Sequence, residues 1–139
     1  MNNLILKNIN PVWYIVDAKY QILGRLASKL SIYLLGKNKK EYIYNFDKGD
    51  YIIVINANQI HFKGNKNKKY YYHHTGYPGG LRSIKLKQLL TKSPCYVIKH
   101  AVKGMLPKNL LGNLIFKKLK VYENAEHPHV SQQPKNLII

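Results

Sequence analysis

Residues 12–36 read VWYIVDAKYQILGRLASKLSIYLLG, and residues 51–56 read YIIVIN; together these two stretches decide the fold. VWYIVD (12–17) is a β-favouring run ending in an acid, the pattern of a first buried strand. After a short polar turn (18–21), Leu23, Leu26, Ala27, Leu30 and Leu34 recur at i, i+3, i+4, i+7 spacing, the apolar face of one helix. Arg25, Ser28 and Lys29 fall off that face. Gly36 is placed to stop the helix, and Lys37, Lys39 and Lys40 follow where cations suit a helix C-terminus. YIIVIN is a near-continuous apolar run, as in strands covered on both faces. Strand, helix and strand in this order predict a right-handed βαβ unit with a parallel sheet.

Outward from this unit, QIHF (59–62) is expected as a short extra strand. Residues 63–82, KGNKNKKYYYHHTGYPGGLR, read as a long basic loop with tyrosines interleaved. The plainer alternative is a surface loop in which Tyr70–Tyr72 form an edge strand. A short helix is expected over 84–92 through Ile84, Leu86, Leu89 and Leu90. Ser93 is placed to cap the next helix, with Pro94 at its first turn. Val97, Ile98, Ala101, Val102 and Met105 form its apolar stripe, and Pro107 ends it. In the helix that follows, Leu110, Leu111, Leu114, Ile115 and Leu119 are assigned to the core, with Asn113, Lys117 and Lys120 along another side. Val121 and Tyr122 return to the sheet, and the tail 123–139 shows no period and is expected to run over the surface.

The charge is lopsided. The 139 residues carry 23 Lys and Arg against 6 Asp and Glu, a net +17. Residues 63–122 hold fourteen cations and no anion. A fold without its own counter-charges repels itself, so a polyanionic partner is expected, nucleic acid before a membrane surface or an acidic protein. Cations alternating with aromatic rings suit RNA, because phosphates meet the charges while unstacked bases meet the rings.

Other chemistries are poorly supplied. Cys95 is the one cysteine, which excludes an internal disulfide and a cysteine-based zinc site, and it reads as a small buried hydrophobe. MNNLILKNIN (1–10) lacks the apolar core of a signal peptide, and no apolar run approaches membrane-spanning length. Gly24 stands without the two further glycines and the later acid of a dinucleotide fingerprint, and KGNKNKK is not a phosphate loop. His73 and His74 are adjacent, and His127-x-His129 lacks a third ligand, so no metal site is expected. Asp17 and Asp50 flank strands, where turn and capping roles account for them. No catalytic residue, cofactor or small-molecule substrate is expected. The imbalance of 21 Lys to 2 Arg, with many Ile, Asn and Tyr, suggests an AT-rich genome.

Several blocks in fixed order carry a resemblance: WYIVDA (13–18), LGRLASKL (23–30), GDYIIVINA (49–57), GNK (64–66), YYHHTGYPGGL (71–81), AVKGMLPKNLLG (101–112), KLKVY (118–122), and EHPH (126–129) with QQP (132–134). Through them the chain resembles the bacterial-type ribosomal large-subunit protein L-thirteen family, over roughly residues 11–139. The resemblance implies a three-layer α/β/α domain with a small, mostly parallel four-stranded sheet, a basic loop and an irregular C-terminal tail. It implies one domain over 1–139, with residues 1–11 as an N-terminal extension. It also implies a non-enzymatic constituent of the large subunit, binding large-subunit ribosomal RNA beside neighbouring ribosomal proteins, as a monomer within the ribosome, and supporting early assembly.

The RNA-binding candidates combine the residue reading with that likeness. The first helix and its end give Arg25, Lys29, Lys37, Lys39 and Lys40. The basic loop gives Lys63, Lys66, Lys68, Lys69, Tyr71, His73, His74, Thr75, Tyr77, Gly79, Gly80 and Arg82. The C-terminal third gives Lys103, Lys108, Asn113, Lys117, Lys118 and Lys120, and the tail gives His127, His129, Gln132 and Gln133. Asn113 stands where the family commonly has arginine, and Ser131 where it has alanine. Replacing Lys117 and Lys118 by Glu is expected to impair incorporation into the subunit while leaving the fold intact. The compartment implied is the cytoplasmic ribosome of an AT-rich, endosymbiont-like bacterium, or an organellar ribosome. Two other readings stay open at this level: a regulator binding a messenger RNA, and a nucleotide-binding α/β enzyme.

Overall fold

The computed structural model describes residues 11–65 and 68–139. The expectations for the N-terminal extension and for Lys66 lie outside the described residues. The βαβ unit forms as its periodicities require: β1 (Trp13–Asp17), α1 (Leu23–Leu35) and β2 (Tyr51–Ile55). β1 and β2 pair in parallel from Trp13↔Tyr51 to Asp17↔Ile55. The helix buries Leu26, Ala27, Leu30, Ser31 and Leu34, while Arg25 and Lys29 are exposed. It stops at Gly36, whose φ of 74° is left-handed, with the Lys37 N–H donating back to the Ile32 carbonyl.

Glycine is also needed at the return to the sheet. A Cβ on Gly49 would run into the Leu34 carbonyl, and one on Gly36 into the Lys48 carbonyl. The chain after α1 is therefore pressed backbone to backbone against the residues that lead into β2.

Next come an antiparallel ribbon of β3 (Tyr70–His74) and β4 (Leu81–Lys85), then α2 (Leu86–Lys92), α3 (Pro94–Met105), α4 (Leu110–Phe116), β5 (Leu119–Val121) and β6 (Lys135–Asn136). The main sheet has the order β5-β2-β1-β6, every pairing parallel. With the helices it makes the expected α/β/α arrangement around a small four-stranded sheet. Tyr14, Val16, Ile52, Val54, Leu119 and Val121 stand in register on one face. Five of these, Tyr14 excepted, join Leu26, Leu30 and Leu34 of α1, Ile98 and Val102 of α3 and Ile115 of α4 in the main core. On the opposite face Trp13 stacks on Tyr51 at 4.4 Å, with the His129 ring 5.2 Å from Trp13. A smaller cluster of Leu86, Leu89 and Val97, with Tyr71 and Phe62 against it, seats the ribbon on α2 and α3.

Several local expectations differ from the fold. QIHF makes one isolated bridge, Ile22↔His61, after a 3₁₀ turn at Ala57–Gln59, and not a strand. From Tyr70 onward the basic stretch forms the ribbon, with the Tyr70–Tyr72 strand of the plainer alternative inside β3, so Ile84 belongs to β4 and α2 begins at Leu86. Pro94 does occupy the first turn of α3, but the Ser93 side chain makes no capping hydrogen bond. Met105, in the last turn of α3, overruns the core edge and is exposed. In the seven-residue α4 the expected stripe is narrower: Ile115 is buried and Leu111 half-buried as expected, while Leu110 and Leu114 are exposed. Leu119 is buried from β5, not from the helix. The tail supplies β6, which pairs Lys135 and Asn136 with Tyr14 and Ile15, and a 3₁₀ turn at Val130–Gln132. Two residues are too few for a readable alternation.

Candidate nucleic-acid interface

The cations divide by what their ammonium groups already touch. Lys39 donates to Asp50 Oδ1 at 2.5 Å and to the Lys48 carbonyl at 3.1 Å, and Asp50 is fully buried. Asp50 Oδ1 also accepts the Val12 N–H, leaving Oδ2 without a partner. Lys48, itself buried, donates to the Glu41 carbonyl. Lys118 is held by Asp47 Oδ1 at 2.6 Å and the Gly49 carbonyl at 3.0 Å, and lies over the Tyr51 ring. Lys39 and Lys118 thus tie the segment between α1 and β2 to the sheet. The turn role expected of Asp17 is present: it accepts the Lys19 N–H, and Asn56 Nδ2 besides.

Most of the other candidate cations among the described residues face outward. Arg25, Lys29, Lys37, Lys40, Lys63, Lys68, Lys69, Lys103, Lys108 and Lys117 are exposed, and Lys120 is half-buried in β5. Lys69 Nζ donates to the Lys63 carbonyl, drawing that pair together.

The ribbon tip is TGYPGG (75–80). Thr75 N–H donates to the Gly80 carbonyl and Gly80 N–H to the Tyr77 carbonyl, closing the turn. Gly76 and Gly79 have positive φ, and a Cβ on Gly80 would strike the Thr75 hydroxyl. This turn projects Tyr77, 76% exposed. His74 Nδ1 accepts the Gly76 N–H, and His73 stands opposite Arg82.

A second cationic region is built by the corner between α3 and α4. Asn109 Oδ1 caps α4 by accepting the Gly112 N–H at 2.7 Å, and a Cβ on Gly112 would collide with the Pro107 carbonyl. The block PKNLLG is thus the sequence of a tight helical corner. It brings Lys103, Lys108 and Asn113 around a cleft of about 210 Å³, with Phe116 on its wall and Lys103 Nζ 6.0 Å from that ring. A neighbouring groove of about 490 Å³ is lined by Lys99, Lys117 and Lys120. Lys99 is absent from the candidate set although its i, i+4 spacing to Lys103 on α3 signals a shared face.

The tail candidates separate. His129 Nε2 lies 2.8 Å from the Tyr122 hydroxyl and its ring sits against Trp13, so it is engaged in packing. His127 Nδ1 accepts the His129 N–H, Gln132 is exposed, and Gln133 takes a left-handed φ of 46°. Among the described residues no three of His, Cys, Asp and Glu gather as metal ligands, and no helix is long and apolar enough to cross a membrane.

A parallel α/β core carrying a basic ribbon and a basic helical corner makes this a cationic α/β protein. Residues 11–128 match the family model described as "Ribosomal protein L13", and the chain belongs to that family. It is 54% identical over 128 residues to the "Large ribosomal subunit protein uL13" of Pseudomonas aeruginosa PAO1, covering 91% of this chain and 90% of the relative. The protein of the same name from Baumannia cicadellinicola is 54% identical over 135 residues, covering 96% and 95%. That of Buchnera aphidicola from Acyrthosiphon pisum (strain Tuc7) is 54% identical over 133 residues, covering 95% and 94%. The family is one of structural proteins and not of enzymes, which places the chain outside the nucleotide-enzyme reading.

Proposed function

We propose that the chain is a structural constituent of the large ribosomal subunit that binds large-subunit ribosomal RNA and supports early assembly of that subunit. Beyond family membership, one observation carries the reading. Residues 63–122 hold fourteen cations and no acid, and among the described residues Lys118 is the cation of this segment that a carboxylate holds. The charge left over calls for phosphates. The α/β core acts as one domain that fixes geometry. The ribbon and the residues leading into it (Lys68, Lys69, His73, Arg82), the helical corner (Lys103, Lys108, Asn113) and the β5 side (Lys117, Lys120) neutralise RNA strands where they converge. Arg25, Lys29, Lys37 and Lys40 extend this surface, while Lys39, Lys118 and His129 serve the fold first. Neighbouring large-subunit proteins complete the surroundings of a single copy. Endosymbiont relatives fit the AT-rich composition and a cytoplasmic bacterial ribosome.

Filter binding of the purified protein to ribosomal RNA fragments tests the mechanism. Contact with about 6–10 phosphates predicts that affinity falls by roughly 10³–10⁵ between 50 and 200 mM salt; a flat response overturns it. In a sucrose gradient of lysate the protein should travel with large subunits. Sedimentation apart from them would point to a messenger-binding regulator.

A further inference from the structure

Between the ribbon and the α2–α3 corner lies a groove of about 430 Å³ that belongs neither to the core nor to the two lysine-lined clefts. This size falls in the ~300–1,000 Å³ range of small-ligand clefts. Its construction follows from the ribbon register. Tyr71 pairs with Ile84 and His73 with Arg82, so these four side chains share the face turned toward the helices. Ile84 and Leu89 supply apolar floor, and Tyr96 of α3 closes the far side. Tyr71 is anchored by the small core and by an edge-on contact with the His100 ring at 5.1 Å. Burial, with the Tyr96 phenol adding to it, pushes the Tyr71 phenol above its ordinary value of 10.0.

The mouth is cationic. Arg82 and Lys92 line it, and none of the six acidic residues does. Tyr96 remains 47% exposed, its ring 5.8 Å from that of His100 and open to the groove on its other side. Aromatic walls over an apolar floor, with cations only at the rim, match a flat, neutral, hydrogen-bonding ring attached to an anionic chain.

We infer that this groove is a nucleotide subsite: it takes the base of one unstacked RNA residue between Tyr71 and Tyr96, with the flanking phosphates on Arg82 and Lys92. Base-on-aromatic stacking tolerates any base because each has a π-face, so the subsite selects single-stranded over duplex RNA and not one sequence. The inference rests on the RNA reading above and narrows it, from phosphate neutralisation in general to capture of an extruded nucleotide at one place. A Tyr-lined groove against a neighbouring ribosomal protein is the competing occupant. The cationic rim and the lack of acids favour RNA.

The test uses the full chain with two probes at fixed salt: a single-stranded RNA carrying 2-aminopurine, whose fluorescence is quenched on stacking, and an RNA duplex. Wild type should quench the single strand. Tyr96→Leu should weaken single-strand binding by roughly 5- to 100-fold, the worth of one stacking contact, and leave duplex binding unchanged, whereas Tyr72→Leu, whose ring pairs with Tyr70 on the other face of the ribbon, is the control and should change neither. Both positions are exposed, and matched urea midpoints confirm folding. Full single-strand affinity in Tyr96→Leu, with duplex binding intact, overturns the subsite and leaves the RNA reading standing, and so does an equal loss in Tyr72→Leu. Failure of wild type to bind either RNA overturns both. A benzophenone side chain at position 96 in assembled particles should crosslink to a nucleotide; a crosslink to a neighbouring protein instead overturns the subsite.

Discussion

Lys118 and Asp47, 71 positions apart in sequence, meet at 2.6 Å, and the same ammonium reaches the Gly49 carbonyl. The contact joins the approach to β5 with the approach to β2. A lysine inside the most basic stretch of the chain therefore works as a structural clasp, while Lys117 beside it faces solvent.

Charge reversal should separate the two. Lys118→Glu sets a second carboxylate against Asp47 and leaves the Gly49 carbonyl without its donor, so urea denaturation should show a loss of about 1–3 kcal/mol or more. Lys117→Glu should stay within ~0.5 kcal/mol of wild type yet weaken ribosomal RNA binding. The contacts therefore keep the expectation of an intact fold for Lys117→Glu and put a loss of stability in its place for Lys118→Glu. Equal stability of the two variants would remove the clasp.

Asp50 is the more demanding pair. Its carboxylate is wholly buried, and Lys39, 20% exposed, neutralises it. Lys39→Met leaves that charge uncompensated and should cost about 3–5 kcal/mol, the usual penalty for breaking a buried pair from one side. The double variant Lys39→Met with Asp50→Asn should recover part of the loss. A single variant as stable as wild type would mean that water, not Lys39, satisfies the carboxylate.

Stability should fall in alkali for a specific reason. Burial is the main cause holding the Tyr14 phenol above its ordinary value of 10.0, with Asp50 and Tyr33 adding to it, and Tyr71 is raised in the same direction. The folded protein therefore keeps protons that the unfolded chain releases. This contribution is intact below pH 10 and is lost as pH climbs through 10 toward the folded values. Urea midpoints followed from about pH 8 to 11 should drop less steeply in Tyr71→Phe than in wild type. Identical slopes would show that Tyr71 titrates alike in both states.

Cys95 should be a poor nucleophile. Burial raises its thiol above the ordinary range and Glu123 adds to this, while Lys99 opposes. Iodoacetamide at pH 8 should alkylate the native protein at least roughly ten-fold more slowly than the urea-unfolded chain, since the thiolate is the reactive form. Equal rates would place the sulfur in open solvent.

The βαβ unit was legible because its signals are local: Leu26, Leu30 and Leu34 at helical spacing, then Ile52–Val54 as an unbroken run. The ribbon was harder, since Tyr70–His74 and Leu81–Lys85 lie mostly exposed and show no apolar alternation. β6 rests on two polar residues whose pairing with β1 only the assembled sheet supplies. Among the candidate cations, residue type pointed to RNA, but not to which ammonium groups are already spoken for. Lys39 and Lys118 find their acids through tertiary contacts, and no spacing rule reaches across 71 positions. Tyr96 and Lys92 were missed because the groove they line is closed by four separate elements, β3, β4, α2 and α3.

The strand order β5-β2-β1-β6 also sets a timetable for a chain made from its N-terminus. β1 and β2 can pair once residue 55 is made, yet both outer edges of that pair stay open. β2 waits for residues 119–121, and β1 waits longer, for residues 135 and 136. Throughout synthesis the growing chain therefore carries bare backbone donors and acceptors on its two most apolar strands, an invitation to wrong pairing. Both edges are covered only after the most basic part of the polypeptide has emerged, so this protein meets its anionic partner's attraction before its own sheet is sealed.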